Sequence, residues 1–137
     1  MARLVLIDDD KAFRSDLADT LAEWGHYVRQ AANITDGQDA IEYFRPDIVL
    51  CDISMPSGSG FALFERMGGK AVRYAGMSFI FISAISSPHA VNYGLSGGAE
   101  DFITKPINYS RLRATIETSL KKKDKAWGPR LLKLFAT

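Results

Sequence analysis

The sequence predicts an α/β protein: a five-stranded parallel sheet, doubly wound in the order 2-1-3-4-5, with helices on both faces. Three observations lead there. Short β-rich apolar runs alternate strictly with stretches of helical spacing, five of each, along the 137 residues. In the central run, Ile48, Val49, Leu50 and Cys51 lead straight into Asp52, and Pro56 stops the element soon after. A short apolar run between turn-formers is the pattern of a strand buried on both faces. Finally, no internal repeat or low-complexity segment interrupts the alternation, and right-handed crossovers leave few ways to connect it.

The elements follow in order. Arg3 to Ile7 is a β-rich run ending in Asp8-Asp9-Asp10. Phe13, Leu17 and Leu21 lie four apart and predict the first helix, with Gly25 as its stop. Tyr27 to Ala32 is a weaker strand, and Asn33 or Thr35 can cap a helix over Asp36 to Phe44. After the Asp52 strand, Ser57-Gly58-Ser59-Gly60 predicts a loop and Phe61 to Met67 a short helix. Gly68-Gly69 ends that helix and opens a long, loose connection reaching Gly76. Ser78 to Ile82 is a buried strand ending in Ser83, followed by a poor helix over Pro88 to Ser96 with Gly94 inside it and Gly97-Gly98 closing it. Asp101 to Thr104 is a short strand leading to Lys105-Pro106, and Asn108 caps a last helix with Leu112, Ile116 and Leu120 on one face. This is the flavodoxin-like topology.

Composition narrows the function classes. Apolar residues at 47% and charged ones at 24% are ordinary for a globular domain, and one domain fits the length. A net charge of +1 gives no reason to expect nucleic-acid binding through the surface as a whole. The single cysteine, Cys51, excludes an internal disulfide and a cysteine metal cluster and reads as inert packing. With no signal-like or membrane-spanning stretch in the sequence, the expectation is a cytoplasmic protein.

In this layout every strand opens its carboxyl end on one edge. Asp8 and Asp9, Asp52, Ser83 and Lys105 therefore become neighbours. Each alone has a bland alternative: an acidic run caps a helix, a strand-end serine forms a turn, a Lys-Pro pair means nothing. Together they suit phosphoryl chemistry. Three crowded carboxylates repel, and a hard cation such as Mg2+ relieves them through oxygen ligands. A carboxylate can attack phosphorus to give an acyl phosphate. The Lys105 ammonium and the Ser83 hydroxyl can then serve the equatorial oxygens.

Over about residues 3 to 120 the sequence resembles the receiver domain of bacterial two-component response regulators, chemotaxis regulators included. Leu6-Ile7-Asp8-Asp9 is similar to that family's acidic-pair strand, and Asp47 to Pro56 with Gly60 to its phosphoacceptor strand and loop. Ile80 to Ala84 resembles the hydroxyl-bearing strand, and Gly98 to Pro106 the lysine-proline segment. The resemblance implies that Asp52 accepts a phosphoryl group from a phosphohistidine on a sensor histidine kinase or phosphotransfer protein. It implies Mg2+ held by Asp9, Asp52 and the Ser54 backbone carbonyl, with Asp8 acting through water. Ser83 would close over the phosphoryl group, Phe102 would rotate inward with it, Lys105 would bridge to a phosphoryl oxygen, and the bond to Pro106 would be cis. Such a chain catalyses only its own phosphorylation and dephosphorylation.

The glycine-weakened fourth helix predicts a switch, with the output surface there, on the fifth strand and on the fifth helix. Output would pass to a downstream protein or to an output domain outside this chain, and a homodimer is a further candidate. Ser54 and Ile85 occupy positions that tune hydrolysis in the family, and neither orients a water strongly, which predicts a long-lived phosphoryl group. The receiver domain is expected over 1–123 and a tail or linker stub over 124–137, with Trp127-Gly128-Pro129 breaking the last helix. The rival readings are a phosphorylation-independent interaction module, a haloacid-dehalogenase-type phosphohydrolase using Asp8, and a flavodoxin-like cofactor binder. The last is opposed by three aspartates where a phosphate cradle belongs.

Overall fold

A computed structural model describes residues 1–73, 76–85 and 87–135, with the side chains of residue 73 and of 123–135 left aside. The element order is β1 (Arg3–Ile7), α1 (Lys11–Glu23), β2 (Tyr27–Ala31), α2 (Ile34–Phe44), β3 (Ile48–Cys51), β4 (Ser54–Met55), β5 (Gly58–Ser59) and α3 (Gly60–Arg66). A 3-10 turn (Gly69–Arg73), β6 (Ser78–Ser83), α4 (Pro88–Ser96), β7 (Asp101–Thr104) and α5 (Tyr109–Phe135) follow. The main sheet is parallel in the order β2-β1-β3-β6-β7. With the small β4–β5 hairpin left out of the count, this is the 2-1-3-4-5 order the sequence predicts.

Strand side chains alternate between two apolar layers, as a period of two requires. Leu4, Leu6, Ile48, Leu50, Ile80, Ile82 and Ile103 face one layer, where Leu17 and Leu21 of α1 and Leu112 and Ile116 of α5 pack. Val5, Ile7, Val49, Cys51, Phe79, Phe81 and Phe102 face the other, against Ile41 of α2 and Leu63 and Phe64 of α3. Both faces are covered, which is why β1, β3 and β6 read as continuous apolar runs.

Caps fix where the helices start. Asp10 Oδ1 accepts the Phe13 N–H at 3.1 Å, Asn33 Oδ1 accepts the Asp36 N–H at 2.8 Å, and Asn108 Oδ1 accepts the Arg111 N–H at 3.0 Å. The helix over Pro88–Ser96 forms as expected, capped by Ser87, and Gly94 is its one buried residue among those described.

Three expectations need correction. Residues 54–59 form a two-stranded hairpin rather than a plain loop, and Ser57 Oγ ties it to α2 by accepting the Ile34 N–H at 3.0 Å. The connection after α3 contains a 3-10 turn, which closes over the sheet by burying Val72; its residues 74 and 75 lie outside the described ones. The last helix runs unbroken to Phe135, through Gly128 and Pro129. The helix continues there against the local preferences of both residues, which together disfavour a helix interior by about 4 kcal/mol. The reading of residues 124–137 as a tail or linker stub rests on side chains outside those described.

Candidate functional site

Register builds the site. Ile7 pairs with Cys51 and Cys51 with Phe81, so Asp8 and Asp52 are the next residues out of adjacent strands. The ladder continues for one more bond into each: the Asp8 N–H donates to Ala31 O at 3.1 Å and the Asp52 N–H to Ile7 O at 2.9 Å. On the far side Ser83 pairs with Thr104, placing Lys105 one residue beyond, where its N–H donates to Ser83 O at 2.9 Å.

These positions converge. Lys105 Nζ stands 2.8 Å from Asp8 Oδ2 and 3.5 Å from Asp52 Oδ2. Carboxylate oxygens of Asp8, Asp9 and Asp52 all lie within 4.8 Å of one another. Asp8 is 1% exposed and Asp52 7%, whereas Asp9 is open to solvent. Both Asp8 oxygens are engaged, Oδ1 by the Asp10 N–H at 2.9 Å and Oδ2 by Lys105. Asp52 Oδ1 receives a long bond, 3.3 Å, from the Ser54 N–H.

The electrostatics follow from burial. Desolvation pushes the Asp52 carboxyl above its usual range, Lys105 pulls it back, and Asp8 adds to the rise. Burial works to lower the Lys105 ammonium, but its hydrogen bond to Asp8 and the Asp52 charge outweigh that, so its value is raised. Burial drives the Cys51 thiol far up, which keeps it an inert part of the core. The cluster is an acidic, all-oxygen pocket with one ammonium at its edge, a donor set suited to a hard divalent cation.

The remaining predicted residues sit around it. Ser83 is buried at the end of β6, and its Oγ accepts the Ile85 N–H at 3.1 Å. Ser54 is exposed on β4. The Lys105–Pro106 bond is cis. Phe102 is only 3% exposed, its ring 6.4 Å from that of Phe81, so it stands inward already. A phenylalanine has no hydroxyl to satisfy at the surface, which favours that position.

Sequence reasoning missed two contributors and the packing reason for a third, Gly60. Phe13 reads as a core residue by its helical spacing, yet the Lys105 ammonium lies 4.1 Å from its ring centre. Arg14 Nη1 donates to the Asp8 carbonyl at 2.7 Å and steadies the loop after β1. Gly60 is packed so closely on the Asp52 carbonyl that a side chain has no room. The only sequence signal for the first two is their place in the first turn after the acidic run.

Known proteins agree with this geometry. The family model described as the response regulator receiver domain matches residues 4–117. The transcriptional regulatory protein AfsQ1 of Streptomyces coelicolor is 33% identical over 122 residues, covering 89% of this chain and 52% of that protein. Protein PilH of Pseudomonas aeruginosa is 31% identical, covering 88% of this chain and 98% of its own. The chain thus spans about half the length of AfsQ1 and nearly all of PilH. Among solved structures, a CheY-like receiver domain from Methanospirillum hungatei JF-1 superposes with a TM-score of 0.83 at 28% identity, covering 92% of this chain and 98% of that one. The fold, the converging Asp8, Asp52 and Lys105, and the match over residues 4–117 lead to one conclusion: this chain belongs to the response regulator receiver domains of two-component signalling.

Proposed function

We propose that the chain is a phosphorylation-controlled switch in which Asp52 accepts a phosphoryl group from a phosphohistidine on a sensor histidine kinase or phosphotransfer protein. The observation that carries this is the placement of Asp52: buried at the sheet edge, with the Lys105 ammonium 3.5 Å from Oδ2 and a long 3.3 Å bond from the Ser54 N–H on Oδ1. An Asp52 oxygen attacks phosphorus, the P–N bond to the donor breaks, and its electron pair leaves with the imidazole. The product is an acyl phosphate on Asp52.

Asp9, Asp52 and the Ser54 carbonyl would hold Mg2+, with Asp8 helping through water. When bound, that ion supplies positive charge for the phosphoryl oxygens. Lys105 lies within reach of the same oxygens, and the Ser83 hydroxyl, whose Oγ accepts the Ile85 N–H, would donate its O–H to one of them. The phosphoryl group adds close to two negative charges to a crowded site, so pulling in Ser83 and Lys105 shifts the ends of β6 and β7. With Phe102 already inward, that shift runs through the segment after Ser83 into α4, which buries little beyond Gly94. The output surface is α4, β7 and α5, read by a downstream protein, an attached output domain or a second copy. The chain acts in the cytoplasm, turns over no other substrate, makes no direct contact with nucleic acid, and keeps its phosphoryl group for long because Ser54 and Ile85 activate water poorly.

The phosphohydrolase alternative needs Asp8 as nucleophile, but both its oxygens are engaged and it is 1% exposed. The deciding experiment is incubation with Mg2+ and acetyl phosphate, read by intact mass, with Asp52→Asn alongside. The expected result is one added phosphoryl group, absent in the variant and slow to decay. No addition in a protein shown to bind Mg2+ would replace this reading with a phosphorylation-independent interaction module.

A further inference from the structure

The Lys105 ammonium is held from more than one side. It lies 2.8 Å from Asp8, 3.5 Å from Asp52, and 4.1 Å from the centre of the Phe13 ring. Phe13 is placed independently of that contact. Its backbone N–H is the donor in the α1 cap, and its half-buried ring packs on the layer shared by α1 and α5.

We propose that Phe13 is a positioning residue for phosphoryl transfer: its ring seats the Lys105 ammonium against the Asp8–Asp52 edge of the site. This rests on Asp52 being the phosphoacceptor. A lysine ends in a compact, strongly hydrated charge on a flexible stem, so carboxylates attract it without fixing its direction. An aromatic face within about 6 Å of the cation adds an attraction that water does not supply from the same side. At 4.1 Å the ring occupies that side. The ammonium is thereby confined close to where phosphoryl oxygens arrive. When an Asp52 oxygen bonds to the phosphorus of acetyl phosphate, the P–O bond to the acetyl group breaks and acetate departs with the electron pair. Lys105 then needs only a short move from Asp8 to a phosphoryl oxygen, and placement of this kind contributes directly to rate.

The test compares Phe13→Leu, which keeps an apolar side chain but removes the ring, with Phe13→Tyr, which keeps the ring. Initial rates of uptake from acetyl phosphate are measured at saturating Mg2+, and the Lys105 ε-methylene protons are followed by NMR. Phe13→Leu is expected to slow uptake about 3- to 10-fold while Phe13→Tyr stays within about twofold of the parent. The ε-methylene protons should show a ring-induced upfield shift in the parent and in Phe13→Tyr, lost in Phe13→Leu. In a Lys105→Met background, Phe13→Leu should bring no further loss, because the partner it positions is gone. A parental rate in Phe13→Leu, an equal loss in Phe13→Tyr, or the same loss without Lys105 would each overturn the proposal while leaving the phosphoacceptor reading intact. No uptake by the parent protein would overturn that reading and the positioning role with it.

Discussion

Gly60→Ala is expected to destabilise the domain by about 3 kcal/mol, as overpacking against an unyielding wall does. A Cβ built on Gly60 would stand 2.2 Å from the Asp52 carbonyl oxygen, 3.1 Å from its carbonyl carbon and 3.0 Å from Cys51 Sγ. None of these can swing away. The carbonyl is backbone, and Cys51 is fully buried with its thiol donating to that same oxygen. Gly60 is also pinned from its own side, its N–H donating to Ile53 O at 2.8 Å. Relief therefore requires moving the segment that presents Asp52, and phosphoryl uptake should fall together with stability. Gly25→Ala is the useful contrast. Gly25 has a φ of +93° with nothing within 4 Å of an added Cβ, so its cost is conformational alone, about 1 kcal/mol. Urea melts of both variants decide the matter. A Gly60→Ala protein no less stable than Gly25→Ala would show that the loop after β3 gives way freely.

Why the acceptor site was legible while its close packing was not comes down to range. Asp8, Asp52, Ser83 and Lys105 end apolar runs whose period and length fix strand identity, and parallel register then aligns the ends. Local pattern is enough for that. Gly60 matches the acceptor loop by resemblance alone; its physical reason is a carbonyl eight positions back, visible only once the hairpin of β4 and β5 has folded. Phe13 satisfies the helical spacing of a core residue equally well whether or not an ammonium sits over its ring. The last helix departs from the local signal altogether: Gly128 and Pro129 are strong local stops, yet the backbone stays helical through both to Phe135.

Removing the cation should expose how much repulsion the site stores. Lys105→Met keeps the length of the side chain and deletes its charge, leaving two buried carboxylates facing each other. Breaking a fully buried pair from one side costs about 3–5 kcal/mol. Lys105 keeps some contact with water, its side chain 20% exposed, so solvent screening reduces the expected loss to about 2 kcal/mol at neutral pH without Mg2+. The pH dependence has two limbs. The Lys105 ammonium is raised in the fold, so its stabilisation is complete below the ordinary lysine value and fades as pH climbs through the raised one. The Asp52 carboxyl is also raised, so the fold favours its neutral form, an advantage complete below the ordinary carboxylate value and lost as pH rises through the raised one. The gap between parent and Lys105→Met should therefore be widest at neutral pH and close toward both acid and strong alkali. Asp52→Asn should shift stability the other way, upward, at neutral pH. Added Mg2+ should restore Lys105→Met more than it stabilises the parent, because it enters a site with one positive charge fewer. Denaturant melts from acid to alkali, with and without Mg2+, read all of this. A Lys105→Met protein as stable as the parent at neutral pH without metal would mean that the carboxylates escape their repulsion by protonation or by water entry, and that Lys105 is there for transfer alone.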